Sequence, residues 1–186
     1  MSDELEKNRI ITICTEIEPL MADIVMKEML LLDRHSHKPI TLYINSPGGE
    51  VVSGLQIIDT MNFIASPVNT VCTGSCASMA AVILSNGETR SALEHARVMI
   101  HQVSSGTQGK VFDMKAAYNE AERLNQLTLG ILAENCGKTL DNVLRDTSVD
   151  KWLDANAAKS YGIIDTVIAS RGRKKAHTRK DGDETI

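Results

Sequence analysis

Three kinds of side chain able to perform acyl transfer occur in order along the chain: Ser78, then His101, then a group of aspartates at 146, 150 and 154. Acyl transfer needs a nucleophile, a base that takes its proton and an acid that orients the base. Ser78 lies between two contrasting runs. Val68-Asn69-Thr70-Val71-Cys72 is β-branched and breaks at Gly74, so it reads as a strand. Ser78 to Leu84 is apolar on every side after its first residue and closed by Gly87, so it reads as a buried helix with a glycine at its C-terminal end. A serine at such a junction sits beside unpaired N–H groups and the positive end of the helix dipole. Its hydroxyl can attack a carbonyl, and the N–H of Met79 can meet the resulting oxyanion. The same position also suits a plain N-cap serine.

His101 closes the run Arg97-Val98-Met99-Ile100-His101-Gln102, a strand that carries the ring to its end, where a structural role is equally open. Spacing does not choose among Asp146, Asp150 and Asp154. A fourth feature is Ser46-Pro47-Gly48-Gly49, directly after the strand Ile40–Asn45. Proline fixes φ and the two glycines reach conformations closed to other residues, so this is a tight turn or a device for aiming a backbone N–H at a ligand.

The elements that must position these groups alternate between strand and helix, which makes the class α/β. Arg9–Cys14 is a short β-rich run. Ile17–Asp33 has apolar residues at helical spacing (Leu20, Met21, Ile24, Val25, Met29, Leu30, Leu32), and Val51–Ala65 is an apolar-faced helix ended by Pro67. Val111–Asn135 is the longest helical pattern, charged enough to project from the body. Thr139 can cap a short helix to Arg145, and Asp154 another over Ala155–Tyr161, with Gly162 as its stop. Ile163–Ile168 reads as a last strand. His35 and His37, in a polar connection without further ligands, read as solvated rather than metal-binding. Residues 169–186 are charged and almost devoid of apolar anchors, the composition of a disordered tail.

With 186 residues, 42% of them hydrophobic and 24% charged, the chain can form one domain with a substantial core. The net charge of −4 argues against nucleic acid and anionic membrane as partners, and 3% aromatics against base-stacking platforms. No apolar stretch reaches membrane-spanning length, and the acidic start MSDELEKN is unlike a signal peptide. Cys14, Cys72, Cys76 and Cys136 lack C-x-x-C spacing and read as free thiols of a reducing, cytoplasmic compartment.

Five segments in order resemble the proteolytic subunit of the Clp protease, a self-compartmentalised serine peptidase. They are Tyr43–Gly49, Gly74–Ala80, Arg97–Gln102, Asp150 before an aromatic residue, and Tyr161–Asp165; together they span roughly residues 9–168. The resemblance implies a spiral of repeated β-β-α units, as in the crotonase-like folds, with a protruding handle helix at about 111–135. It makes Ser78 the nucleophile, His101 the general base and acid, Asp150 the orienting acid, and the N–H groups of Gly49 and Met79 the oxyanion hole. It implies peptide-bond hydrolysis without a metal or organic cofactor. It also implies two stacked heptameric rings, fed with unfolded protein by an ATP-driven Clp unfoldase, since nothing here resembles a phosphate-binding loop. Tyr43 and Phe63 match positions of the pocket in which that unfoldase docks, whereas Thr41 stands where an aromatic is usual.

Several positions depart from the family pattern. The chain starts close to the first strand, so the segment lining the axial pore is expected to be short or missing. Ser75-Cys76 replace Gln-Ala, and Val103 replaces the proline after His-Gln. Ser148-Val149 replace the acid–arginine pair before the catalytic aspartate, and Lys110 replaces a glutamine at the receiving side of the ring–ring contact. Two alternatives therefore accompany the protease reading. One is a weakly active or structural subunit of a mixed ring completed by a second Clp proteolytic paralogue. The other is a crotonase-type coenzyme A thioester enzyme, which would not require the Ser-His-Asp set.

Overall fold

The computed structural model describes residues 2–169. The elements in chain order are α1 (Ser2–Lys7), β1 (Ile10–Ile13), α2 (Pro19–His35), β2 (Ile40–Ser46), α3 (Val51–Phe63), β3 (Val68–Ala77), α4 (Met79–Ser85), β4 (Arg90–Leu93), β5 (Arg97–Ile100), α5 (Val111–Asn135), α6 (Leu140–Asp146), β6 (Lys151–Asp154), α7 (Ala155–Tyr161) and β7 (Thr166–Ile168). The class is α/β. Strands β1-β2-β3-β4-β7 lie side by side and parallel, β5 adds in parallel to the far end of β3, and β6 pairs antiparallel to β5. Ile40, Leu42 and Ile44 alternate into the core on β2, beside Ile11 and Ile13 of β1. All seven residues of α4 are buried.

β3 does not end at Gly74 as its sequence suggests but runs through it to Ala77. Its register with β2 slips there: Ile44 faces Cys72, yet Ser46 faces Cys76. The resulting bulge is closed by Asn45, whose Oδ1 accepts the Ser75 N–H at 2.9 Å. A Cβ on Gly74 would approach that oxygen to 2.5 Å, so a side chain there would have to displace the Asn45 amide that closes the bulge. Before the bulge β3 is flanked by β4; after it, by β5. The bend thus delivers the end of β3 next to the strand that leads to His101.

Gly87 does not cap α4. The helix ends at Asn86, and a side chain at Gly87 would collide with Thr70, whose hydroxyl donates to the Leu84 carbonyl at 2.7 Å. Thr139 and Asp154 do cap their helices, accepting from the N–H groups of Asn142 and Ala157, and Gly162 ends α7 at φ +100. Two apolar stripes differ from expectation. On α2 only Ala22, Val25, Met29 and Leu32 are buried, leaving Leu20, Ile24 and Leu30 exposed. On α5 the apolar residues at three- and four-residue steps are Ala117, Ala121, Leu124, Leu127, Ile131 and Leu132, yet the buried residues are Asn125, Thr128, Leu129, Leu132 and Ala133, all in its C-terminal half. The first turns of α5 stand clear of the body, with Phe112 86% exposed. Strands β4 and β6 lie in stretches that carry no clear strand pattern. The tail expected beyond 169 lies outside the described residues.

Candidate active site

The end of β3 imposes an unusual backbone on Ser78, with φ +54 and ψ −125. Among the described residues only Ser78 and Arg9 are non-glycine residues at positive φ. Such a conformation costs about 1–3 kcal/mol and persists only where the surroundings enforce it. Here the Ser78 N–H donates to the Met99 carbonyl at 2.9 Å, and the Ser78 carbonyl accepts the Ala81 N–H at 2.9 Å. Ser78 occupies the N-cap position of α4, yet its side chain makes no capping bond. Its hydroxyl oxygen lies instead 2.8 Å from His101 Nε2. The capping alternative therefore describes where Ser78 sits and not what its hydroxyl does.

The antiparallel pairing of β5 with β6 selects among the three aspartates. Ile100 is opposite Lys151, so one step further His101 comes opposite Asp150. His101 Nδ1 and Asp150 Oδ1 are 3.4 Å apart, and the aspartate side chain is 64% exposed. A carboxylate on the Nδ1 side favours the tautomer protonated there, which leaves Nε2 free to accept the serine proton. The other two acids are engaged elsewhere: Asp146 with Lys151 Nζ at 2.9 Å, and Asp154 as the cap of α7. Lys151 holds the Asp146 carboxyl below its ordinary range.

Gly48 and Gly49 bring a second backbone segment against Ser78. A Cβ on Gly48, at φ +92, would lie 2.7 Å from Ser78 Cβ and 3.0 Å from the Met79 nitrogen, so only glycine fits. Gly49, at φ +151, forms a parallel bridge with Ile17: the Ile17 N–H donates to Gly48 O and the Glu50 N–H to Ile17 O, each at 2.8 Å. These bonds use the groups flanking Gly49, which turns Gly49's own N–H to the opposite side. Gly49, Ser78, Met79 and His101 line one cleft of about 240 Å³. Met79 is the first residue of α4, where helix geometry leaves N–H groups unpaired.

The Clp protease family model matches residues 1–171. The chain belongs to the Clp protease family. It is a Clp-type peptidase domain, and the cleft just described is the place in it where a serine, a histidine and two glycine-enabled backbone approaches converge.

Several contributors to the cleft carry little sequence signal. α5 supplies an apolar wall through Leu129 and Leu132, joined by Met99 and Val82. Asn125, a buried polar residue on the same helix, accepts the Val103 N–H at 3.0 Å and so ties down the segment after His101. The spacing of apolar residues marks Leu132 but takes Leu127, which is exposed, in place of Leu129; nothing local distinguishes Asn125 from other polar helix residues. The two expected docking residues do not share a groove in the single chain. Phe63, 81% exposed, lines an apolar groove with Met26, Leu30, Val52 and Leu55, while Tyr43 is partly buried on β2 and absent from it. Among the described residues no group of three or more His, Cys, Asp or Glu could hold a metal, and no helix is long and apolar enough to cross a membrane.

Proposed function

We propose that this chain is a serine endopeptidase subunit of a self-compartmentalised Clp protease. The 2.8 Å contact between Ser78 Oγ and His101 Nε2, at the head of a buried helix, is the observation that carries this reading. Ser78 Oγ attacks the scissile carbonyl carbon while His101 Nε2 takes its proton, and Asp150 orients and stabilises the imidazolium. The N–H groups of Gly49 and Met79 receive the oxyanion. Collapse of the tetrahedral intermediate expels the amine, which takes the proton from His101. Water, activated by the same ring, then releases the acyl group. No step calls for a metal or organic cofactor. The substrates are unfolded polypeptides, and the apolar cleft wall fits extended chain.

The chain works as heptameric rings stacked in pairs, with α5 as the handle between them, and receives cytoplasmic substrates from a Clp ATPase unfoldase docked at the Phe63 groove and around Tyr43. A mixed assembly is the second reading. Val149 is 74% exposed and apolar where the family places a ring-bridging arginine, and the His101–Asp150 contact is long for a hydrogen bond. In that reading a paralogous ring supplies the missing contacts and tightens the site. Hydrolysis of a fluorogenic peptide by the wild type, with and without such a paralogue, tests both against Ser78→Ala. Activity that survives Ser78→Ala would remove the proposed nucleophile.

A further inference from the structure

Asp150 is the exposed member of the Ser78–His101–Asp150 line, and an exposed carboxylate held by nothing else gains little from a single charged partner. What fixes its backbone is the residue that follows. Lys151 does not line the cleft. Its Nζ lies 2.9 Å from Asp146 Oδ1, with both side chains only about a third exposed, and 5.4 Å from the centre of the Tyr161 ring. Lys138 covers the same ring at 4.4 Å, and the buried Tyr161 hydroxyl lies beside the Asp146 carboxylate, its pKa pushed up by burial and by that neighbour. The Lys151 backbone pairs with Ile100, the residue before His101. Asp146 is also the last residue of α6, where the helix dipole opposes a carboxylate, so its charge is not there to stabilise the helix. Arg145 beside it is engaged with Asn142.

We propose that Asp146 is a positioning residue: its ion pair with Lys151, closed over Tyr161, holds the start of β6 at the register that sets Asp150 against His101. The proposal rests on the reading of Asp150 as the orienting acid. Lys151 is the hinge of the arrangement, because one residue links the clamp to Asp150 through a single peptide and to His101 through the strand pair. Loosening the clamp shifts Asp150 and leaves in place the cleft walls that Gly49, the α4 residues Met79 and Val82, and the α5 residues Leu129 and Leu132 supply.

The test is a double-mutant cycle on peptide hydrolysis. Asp146→Asn keeps the shape and removes the charge; kcat should fall about tenfold with KM unchanged, the scale expected when a catalytic group is displaced by less than an ångström. Asp146→Glu should recover most of the loss. Lys151→Met, which keeps an apolar stem over Tyr161, should reproduce it from the other side of the pair. Trp152, the chain's single tryptophan, stands on β6 with Arg97 5.7 Å from its ring centre, and its emission should change with Asp146→Asn but not with Asp146→Glu. In an Asp150→Asn background, Asp146→Asn should cost nothing further. An equal fold-loss in both backgrounds, a rise in KM at constant kcat, or unchanged turnover in both Asp146→Asn and Lys151→Met would overturn the proposal. Wild-type turnover in Asp150→Asn alone would instead remove its premise, which separates failure of the acid assignment from failure of the clamp.

Discussion

Replacing Gly49 by alanine drives a methyl group into the backbone of Ile17. A Cβ there would lie 2.7 Å from the Ile17 nitrogen and 2.9 Å from its carbonyl carbon, and closer still to its oxygen. No side-chain rotation relieves a clash with backbone, and φ +151 disfavours an L-residue in any case. The turn must therefore move and stretch the two 2.8 Å hydrogen bonds that bracket Gly49. Moving it swings the Gly49 N–H away from the proposed oxyanion position. Loss of one preorganised donor costs about 10²–10³ in kcat, equivalent to about 2.7–4 kcal/mol. Fluorogenic-peptide kinetics on Gly49→Ala should show that fall, with KM changed far less. Gly137→Ala is the control: it too has positive φ, at +63, but open space around the added methyl, so it should cost stability without loss of turnover. A Gly49→Ala enzyme within threefold of wild-type kcat, with its fold intact, would refute the argument.

Other outcomes follow from the same geometry. Asp150→Asn should lower kcat by about three to four powers of ten through the wrong histidine tautomer, whereas Asp154→Asn, measured side by side, should leave turnover near normal because that residue caps α7. Phe63→Ala should reduce unfoldase-driven degradation of a protein more than hydrolysis of a dipeptide; equal losses would indicate a folding defect. The Ser66 hydroxyl, then His37 and the Ser66 N–H, lower the Asp33 carboxyl from 3.8 to about 2. A depressed acid contributes stability above its unfolded value that is lost as pH falls through the folded one. Urea unfolding between pH 4 and pH 2 should therefore show a loss of stability that is shallower in Asp33→Asn.

The residues legible in the sequence were those whose meaning is local. Ser78 stands out because a β-branched run gives way to a wholly apolar one at that point, and Thr139, Asp154 and Gly162 because caps follow side-chain chemistry within one turn. α5 runs over the residues its periodicity marks, Val111–Asn135. Features that depend on distant partners were not legible. Gly74 looks like a strand break because its reason is the Asn45 side chain 29 positions earlier. Asp150 is indistinguishable from Asp146 and Asp154 until β6 is laid against β5, and β6 itself is only four residues long. α2 has more apolar residues than one face can bury, so periodicity alone cannot tell Val25, which is buried, from Ile24, which is not.

Labelling with a fluorophosphonate, followed by peptide mapping, tests the central claim most directly. One phosphonyl adduct is expected, on Ser78, formed rapidly by the wild type and abolished in His101→Ala. Modification of a different residue, or a Ser78 that stays unlabelled while the protein hydrolyses peptides, would contradict it.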